Sequence, residues 1–224
     1  MLINPLKDGR ALLVSPAWMS SNIYSRKADL EQQFNDFFKE SLNVAEAYRQ
    51  LSGDQILQLK RLLSNIHNLL TLEATVAFVR LLETDGVLTH EQAAGLLRAI
   101  DAQHANTNGY DVRSEEPRLI AEVKCMLPCE GKNKDRFGAA QRAGLWKDLT
   151  ALCSGKKKAG KFDVATYAKY MVVLSAPNVK AAMDEVIARW NQDPSNLPIK
   201  EYDKSLNPGV IQVVYVSLDR LGTL

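Results

Sequence analysis

Apolar residues recur at three- and four-residue intervals through the first hundred positions, the spacing that gives a helix one buried stripe. Leu30, Phe34, Phe37, Phe38, Ala45 and Tyr48 form the first such stripe. A second helix is predicted to open at Ser52-Gly-Asp-Gln55, a capping-box spacing, and to continue through Ile56, Leu59, Leu63, Ile66 and Leu70. A third runs through Leu72, Val76, Val79 and Leu82 to the Asp85-Gly86 turn signal. A fourth starts at Thr89-His-Glu-Gln92, again with capping-box spacing, and reaches about Ile100.

After His104 the period changes. Asn106-Thr-Asn-Gly109 is turn chemistry. Tyr110–Arg113 and Arg118–Lys124 flank Ser114-Glu-Glu-Pro117 and read as a hairpin. A Lys- and Gly-rich loop follows, then a helix from about Phe137 to Cys153 with Leu145, Leu149 and Leu152 inward. Ser154–Lys161 reads as a mobile basic loop. Tyr170–Ser175 and Val210–Val216 are almost wholly apolar, as expected of strands covered on both faces, with a helix at Asn178–Trp190 between them. These elements predict an α/β chain, a single domain over 1–224, with a helical subregion at 1–104 and an α/β core at 105–224.

Composition narrows the class. Of the 224 residues, 46% are apolar and 24% charged, with a net charge of +2, so the chain can bury a core and is not of disordered type. No uninterrupted apolar run reaches the ~18–20 residues of a spanning helix, and the first residues lack the pattern of a secretory signal. Three cysteines, an odd number, argue against a disulfide framework. The expectation is a cytoplasmic protein without a membrane partner. Charge is uneven: residues 124–169 hold eleven Lys or Arg against four acids, leaving the remainder acidic. Clustered positive charge is the footprint of a phosphate-backbone binder, although a solvated basic face has the same composition.

The candidate chemistry lies in Asp111 and Glu122-Val-Lys124. Two carboxylates suit a hard divalent ion such as Mg²⁺, which keeps several waters, and a lysine beside it can orient attacking water. Alternation along a strand puts Glu122 and Lys124 on one face, with Ala121 and Val123 on the opposite, buried one. A hairpin turn centred between Glu115 and Glu116 would pair Asp111 near Ile120, diagonal to Glu122 and on its face; a one-residue slip would move it to the wrong face. Acid-x-Lys alone is uninformative, since chance gives about two occurrences and the chain has two, the other being Glu130-Gly-Lys132. The context gives the first its weight: an aspartate on the preceding strand, an apolar lead-in, then a basic helix and a buried strand.

With these residues in this order, the segment 105–176 resembles the PD-(D/E)xK nuclease superfamily, and within it the type II restriction endonucleases. Glu122-Val-Lys124, Glu130-Gly-Lys132 and Gly138-Ala-Ala-Gln-Arg142 also look like the layout of the EcoRI/MunI branch. Tyr110 stands where the family often has proline. The resemblance implies a restriction-endonuclease-like mixed sheet flanked by helices and Mg²⁺-dependent hydrolysis of double-stranded DNA by a homodimer. Asp111, Glu122 and the Val123 carbonyl would bind metal, Lys124 would position or activate water, and Glu73 or Glu83 could add a ligand. Lys132, Lys134, Arg136, Gln141, Arg142 and Lys147 are candidate DNA contacts, and Lys156, Lys157 and Lys158 candidate backbone contacts. Other readings are a repair or recombination nuclease of the same superfamily, a non-catalytic nucleic-acid binder using 124–169, and a helical interaction module. For the trio itself the plainer reading is a hairpin with an ordinary cross-strand salt bridge. Cys125, Cys129 and His104 do not have the spacing of a zinc site, and 155–161 departs from the phosphate-loop pattern and follows no strand.

Overall fold

A computed structural model describes residues 21–102, 109–128, 136–156, 159–160 and 162–218. The chain divides into two compact units, residues 1–62 and 63–224.

In the first unit, α1 (Ser21–Leu42) is followed by the single turn α2 (Ala47–Gln50) and the start of α3 (Gly53–Thr84). The expected stripe from Leu30 to Tyr48 is therefore not one helix. Asn43 and Glu46 adopt left-handed backbone (φ 55° and 51°), which stops α1 and turns the chain back. The aromatic residues still meet: Phe34 stacks on Phe38 at 4.5 Å and meets Tyr48 edge-on at 5.7 Å. The Ser52–Gln55 capping box forms as read, Gln55 Oε1 accepting from Ser52 N at 2.8 Å and Ser52 Oγ from Gln55 N at 3.3 Å.

The two helices predicted over 52–82 are one helix, α3. No Gly or Pro separates Leu70 from Leu72, and the Thr71 hydroxyl donates back to the His67 carbonyl at 3.0 Å without breaking the helix. Merged, α3 is long and apolar enough to cross a membrane by length and composition. Its C-terminal part is a core helix, with Ala74, Phe78, Val79 and Leu82 fully buried.

The second unit holds that part of α3, α4 (His90–Asp101), β1 (Val112–Glu115), β2 (Arg118–Lys124), α5 (Ala139–Ser154), β3 (Ala168–Leu174), α6 (Val179–Trp190), β4 (Ile199–Glu201) and β5 (Ile211–Val216). The sheet order is β1-β2-β3-β5-β4, with β1 antiparallel to β2 and the other neighbours parallel. One face, bearing Leu119, Ala121, Val123, Tyr170, Val172 and Val214, packs on α3 and α4. The other, bearing Ile120, Met171, Val173, Ile211 and Val213, packs on α5 and α6. Cover on both faces explains why all seven β3 residues are buried and why β3 and β5 read as almost wholly apolar runs. Strand β4 has no comparable signature: it is three residues long, on the sheet edge, with Ile199 alone buried.

Candidate functional site

The β1–β2 hairpin fixes the site, and its register differs from the expected one. Val112 pairs with Ala121 and Glu115 with Arg118, leaving Glu116-Pro117 as the turn. The expected register would have set Pro117 opposite Ser114, inside the ladder, where proline has no N–H to give. The correction is two residues, an even shift, so Asp111 keeps its face and stands in register with Glu122 itself instead of Ile120. Just beyond the last ladder pair, Asp111 Oδ2 accepts from the Val123 backbone N–H at 2.7 Å, which ties the carboxylate to the Glu122-Val-Lys124 segment.

Glu122 faces the α5 side of the sheet and is almost fully buried, 2% exposed. Burial pushes its carboxyl up to about 7, with the charges of Asp111 and Asp148 adding to the rise and Lys156 opposing it. Lys156 Nζ lies 2.5 Å from Glu122 Oε1. The contact is a close ion pair that gives the buried carboxylate its countercharge. Lys124 Nζ meets Asp148 Oδ2 at 2.8 Å. Burial works against the Lys124 ammonium, but the Asp148 hydrogen bond and the carboxylates of Asp148, Glu122 and Asp111 outweigh it and hold its pKa above the ordinary lysine value. Lys124 is thus a fixed cation, suited to stabilising negative charge and unsuited to taking up a proton.

The expected trio is therefore brought together, and two residues join it. Asp148 was legible as a carboxylate within the inward stripe of α5, since 145, 148, 149 and 152 share one side of the helix. By sequence Lys156 belongs with Lys157 and Lys158 as a candidate backbone contact. Instead its ammonium turns inward, donating to the Gly109 carbonyl at 2.8 Å and lying 5.1 Å from the Tyr110 ring centroid. Burial, with the charge of Glu122, pushes the Tyr110 hydroxyl up to about 12, and that hydroxyl donates to the Ala151 carbonyl at 2.9 Å. Glu83 is engaged elsewhere, bonded to Arg80 at 2.9 Å and His90 at 2.6 Å. Glu73 and Glu83 are on α3, which packs against the opposite face of the sheet from Glu122.

The candidate DNA contacts separate in the same way. Gln141 is structural at both ends of its amide, accepting from Gly138 N and donating to the Leu127 carbonyl, each at 2.8 Å. That holds the α5 N-terminus against the loop after β2 and engages both ends of the amide. Arg142 donates to the Phe137 carbonyl, and Arg136 pairs with Glu185 at 3.3 Å. Arg142 also lines an open depression of about 560 Å³ with Ala143, Trp146, Arg189 and Gln192. Lys147 is exposed on α5. Lys132, Lys134, Lys157 and Lys158, with Cys129 and His104, lie outside the described residues. Lys169, part of the basic segment by sequence, is fully buried and donates to the carbonyls of Tyr167 and Pro208 at 2.8 and 2.9 Å.

Among the described residues no group of three or more His, Cys, Asp or Glu side chains is arranged to hold a metal ion. The oxygens offered are those of the Asp111–Glu122 pair. No protein-family model, curated protein or solved structure matches the chain.

Proposed function

We propose that this chain is a Mg²⁺-dependent endonuclease of double-stranded DNA, built on the restriction-endonuclease-like plan and acting on a specific sequence as a homodimer. The observation that carries the reading is the hairpin register. It sets Asp111 against Glu122 at the edge of a mixed sheet, with Lys124 two residues on and a helix and parallel strand following in the order the resemblance implies.

The residues fit a hard divalent ion. The buried Glu122 carboxylate is met by a cation, Lys156 Nζ at 2.5 Å, and the charge of Asp111 works against ionising Glu122. Two carboxylates with room for water are the donor set that Mg²⁺ takes. Asp111 and Glu122 would hold the ion, which would supply Lewis acidity at the scissile phosphate and a more acidic bound water. The chain's own groups do the rest. The Val123 N–H fixes the Asp111 carboxylate. Lys124, kept protonated by Asp148, orients the attacking oxygen and balances charge building on the phosphoryl group. Asp148 is a positioning residue that acts through Lys124.

The purified full chain is expected to cut long mixed-sequence duplex DNA into discrete bands in Mg²⁺ and to leave it intact in EDTA. E122A and K124A should lose cleavage by at least about a hundredfold while keeping the wild-type circular dichroism. A smear in Mg²⁺ would favour the structure-selective nuclease of the same superfamily. DNA left intact in both Mg²⁺ and Mn²⁺, but bound, would overturn the enzyme in favour of the non-catalytic binder, whose ion pairs Glu122–Lys156 and Lys124–Asp148 would then be purely structural.

A further inference from the structure

The oxygens around Lys156 are arranged as a cation site. Its Nζ is held by a carboxylate oxygen, Glu122 Oε1 at 2.5 Å, and by a backbone carbonyl, Gly109 O at 2.8 Å. The Tyr110 ring presents a third electron-rich surface at 5.1 Å. Glu122 comes from β2, Gly109 and Tyr110 from the turn before β1, and Lys156 from the segment just after α5, so three separate stretches of chain converge on one ammonium. The Glu122 side chain is 3% exposed and that of Lys156 25%, which makes the carboxylate the fixed partner and the lysine the one with a way out. Gly155, with φ 88°, ends α5 immediately before Lys156 and gives the backbone a turn that a residue with a Cβ resists.

We propose that Lys156 is a built-in competitor of the divalent ion: its ammonium, anchored on the Gly109 carbonyl, occupies Glu122, one of the two carboxylates that would hold the ion, and the ion binds by displacing it. This inference rests on the reading of Glu122 as a metal ligand. A dication on the same carboxylate would stand only about 4 Å from the ammonium, and that repulsion in a buried site favours one occupant over both. Apparent metal affinity is then lowered by the fraction of molecules in which Lys156 is in place. Displacement also carries a positive charge out of the site toward solvent, where a phosphate backbone would meet it.

The test is Mn²⁺ binding by titration calorimetry to the full chain without DNA, for wild type, K156M, K156R and E122Q. K156M keeps the stem against Tyr110 while removing the charge. It is expected to bind Mn²⁺ about tenfold more tightly than wild type, with K156R close to wild type and E122Q much weaker. Equal affinities for K156M and wild type, with E122Q still weakened, would overturn the competition and leave the metal site standing. Equal binding by E122Q and wild type, or no binding by any of them, would overturn the metal site and the competition together. A second measurement needs no variant. Acetylation of wild-type Lys156, followed by mass spectrometry, should quicken several-fold when Mn²⁺ is added; an unchanged rate at saturating Mn²⁺ would overturn the displacement.

Discussion

Glu122 concentrates the conflict between fold and charge in one side chain. Its carboxyl is held near pH 7, well above the range of an unfolded glutamate, chiefly because it is buried. Between roughly pH 5 and 7 the native state therefore binds a proton that the unfolded chain has released, so stability falls as pH rises through this window. Replacing the carboxylate by a neutral amide should remove that penalty. In EDTA, E122Q is expected to be more stable than wild type at pH 8 by about 3 kcal/mol, with the difference vanishing near pH 4. Urea melts across the pH range would read it, and equal stability at pH 8 would contradict it. The direction is diagnostic, because deleting one member of an ordinary favourable salt bridge would lower stability instead.

At the scale of elements, short-range signals carried the structure where they had a local cause. The Thr89 box at the start of α4 forms in both directions, Thr89 Oγ1 accepting from Gln92 N at 3.2 Å and Gln92 Oε1 accepting from Thr89 N at 2.9 Å. Because Ala93 and Leu96 of the same helix are core residues, T89A should cost about 1 kcal/mol. Differential scanning calorimetry should register it as a fall of about 2–4 °C in Tm. The hairpin, α5, β3, α6 and β5 were legible for the same reason, each having its own period or breaker. Three things were not. The unbroken length of α3 was hidden because its two stripes are offset between Leu70 and Leu72, as the helix passes from exposed Leu63 and Ile66 to buried Val79 and Leu82. Strand β4 depends on pairing with β5 and is too short to have a pattern. The inward turn of Lys156 depends on Glu122 and Gly109, some thirty and forty-five residues earlier in the chain, and a run of three lysines conceals which of them is different. The trio of Asp111, Glu122 and Lys124 was readable because strand alternation is local, and it survived the wrong turn because the error was an even number of residues.

Across the whole molecule, the positive charge read from the sequence overstates what can meet DNA. Of eleven Lys and Arg in 124–169, Lys124, Lys156 and Lys169 are committed to Asp148, Glu122 and backbone carbonyls respectively. Eight remain, and Arg136 and Arg142 already have protein partners. If this segment is the DNA surface, affinity of the wild-type protein in EDTA should fall with salt along a log–log slope no steeper than about −7. Fluorescence anisotropy between roughly 50 and 200 mM salt would measure it. A steeper slope would place additional phosphate contacts outside 124–169, and a flat one would remove duplex DNA as the partner.

The strand order has a consequence for how the chain reaches this state during synthesis. Strand β5, residues 211–216, is interior to the sheet, lying between β3 and β4 and hydrogen-bonded to both. Until it has left the ribosome, β3 is an open edge whose apolar side chains are covered on one flank only, and β4 has nothing to pair with. The sheet is thus held in an adhesive, incomplete form while the segment between β3 and β5 is translated, and its dependence on chaperones should be decided by the last strand of the sheet rather than by the first.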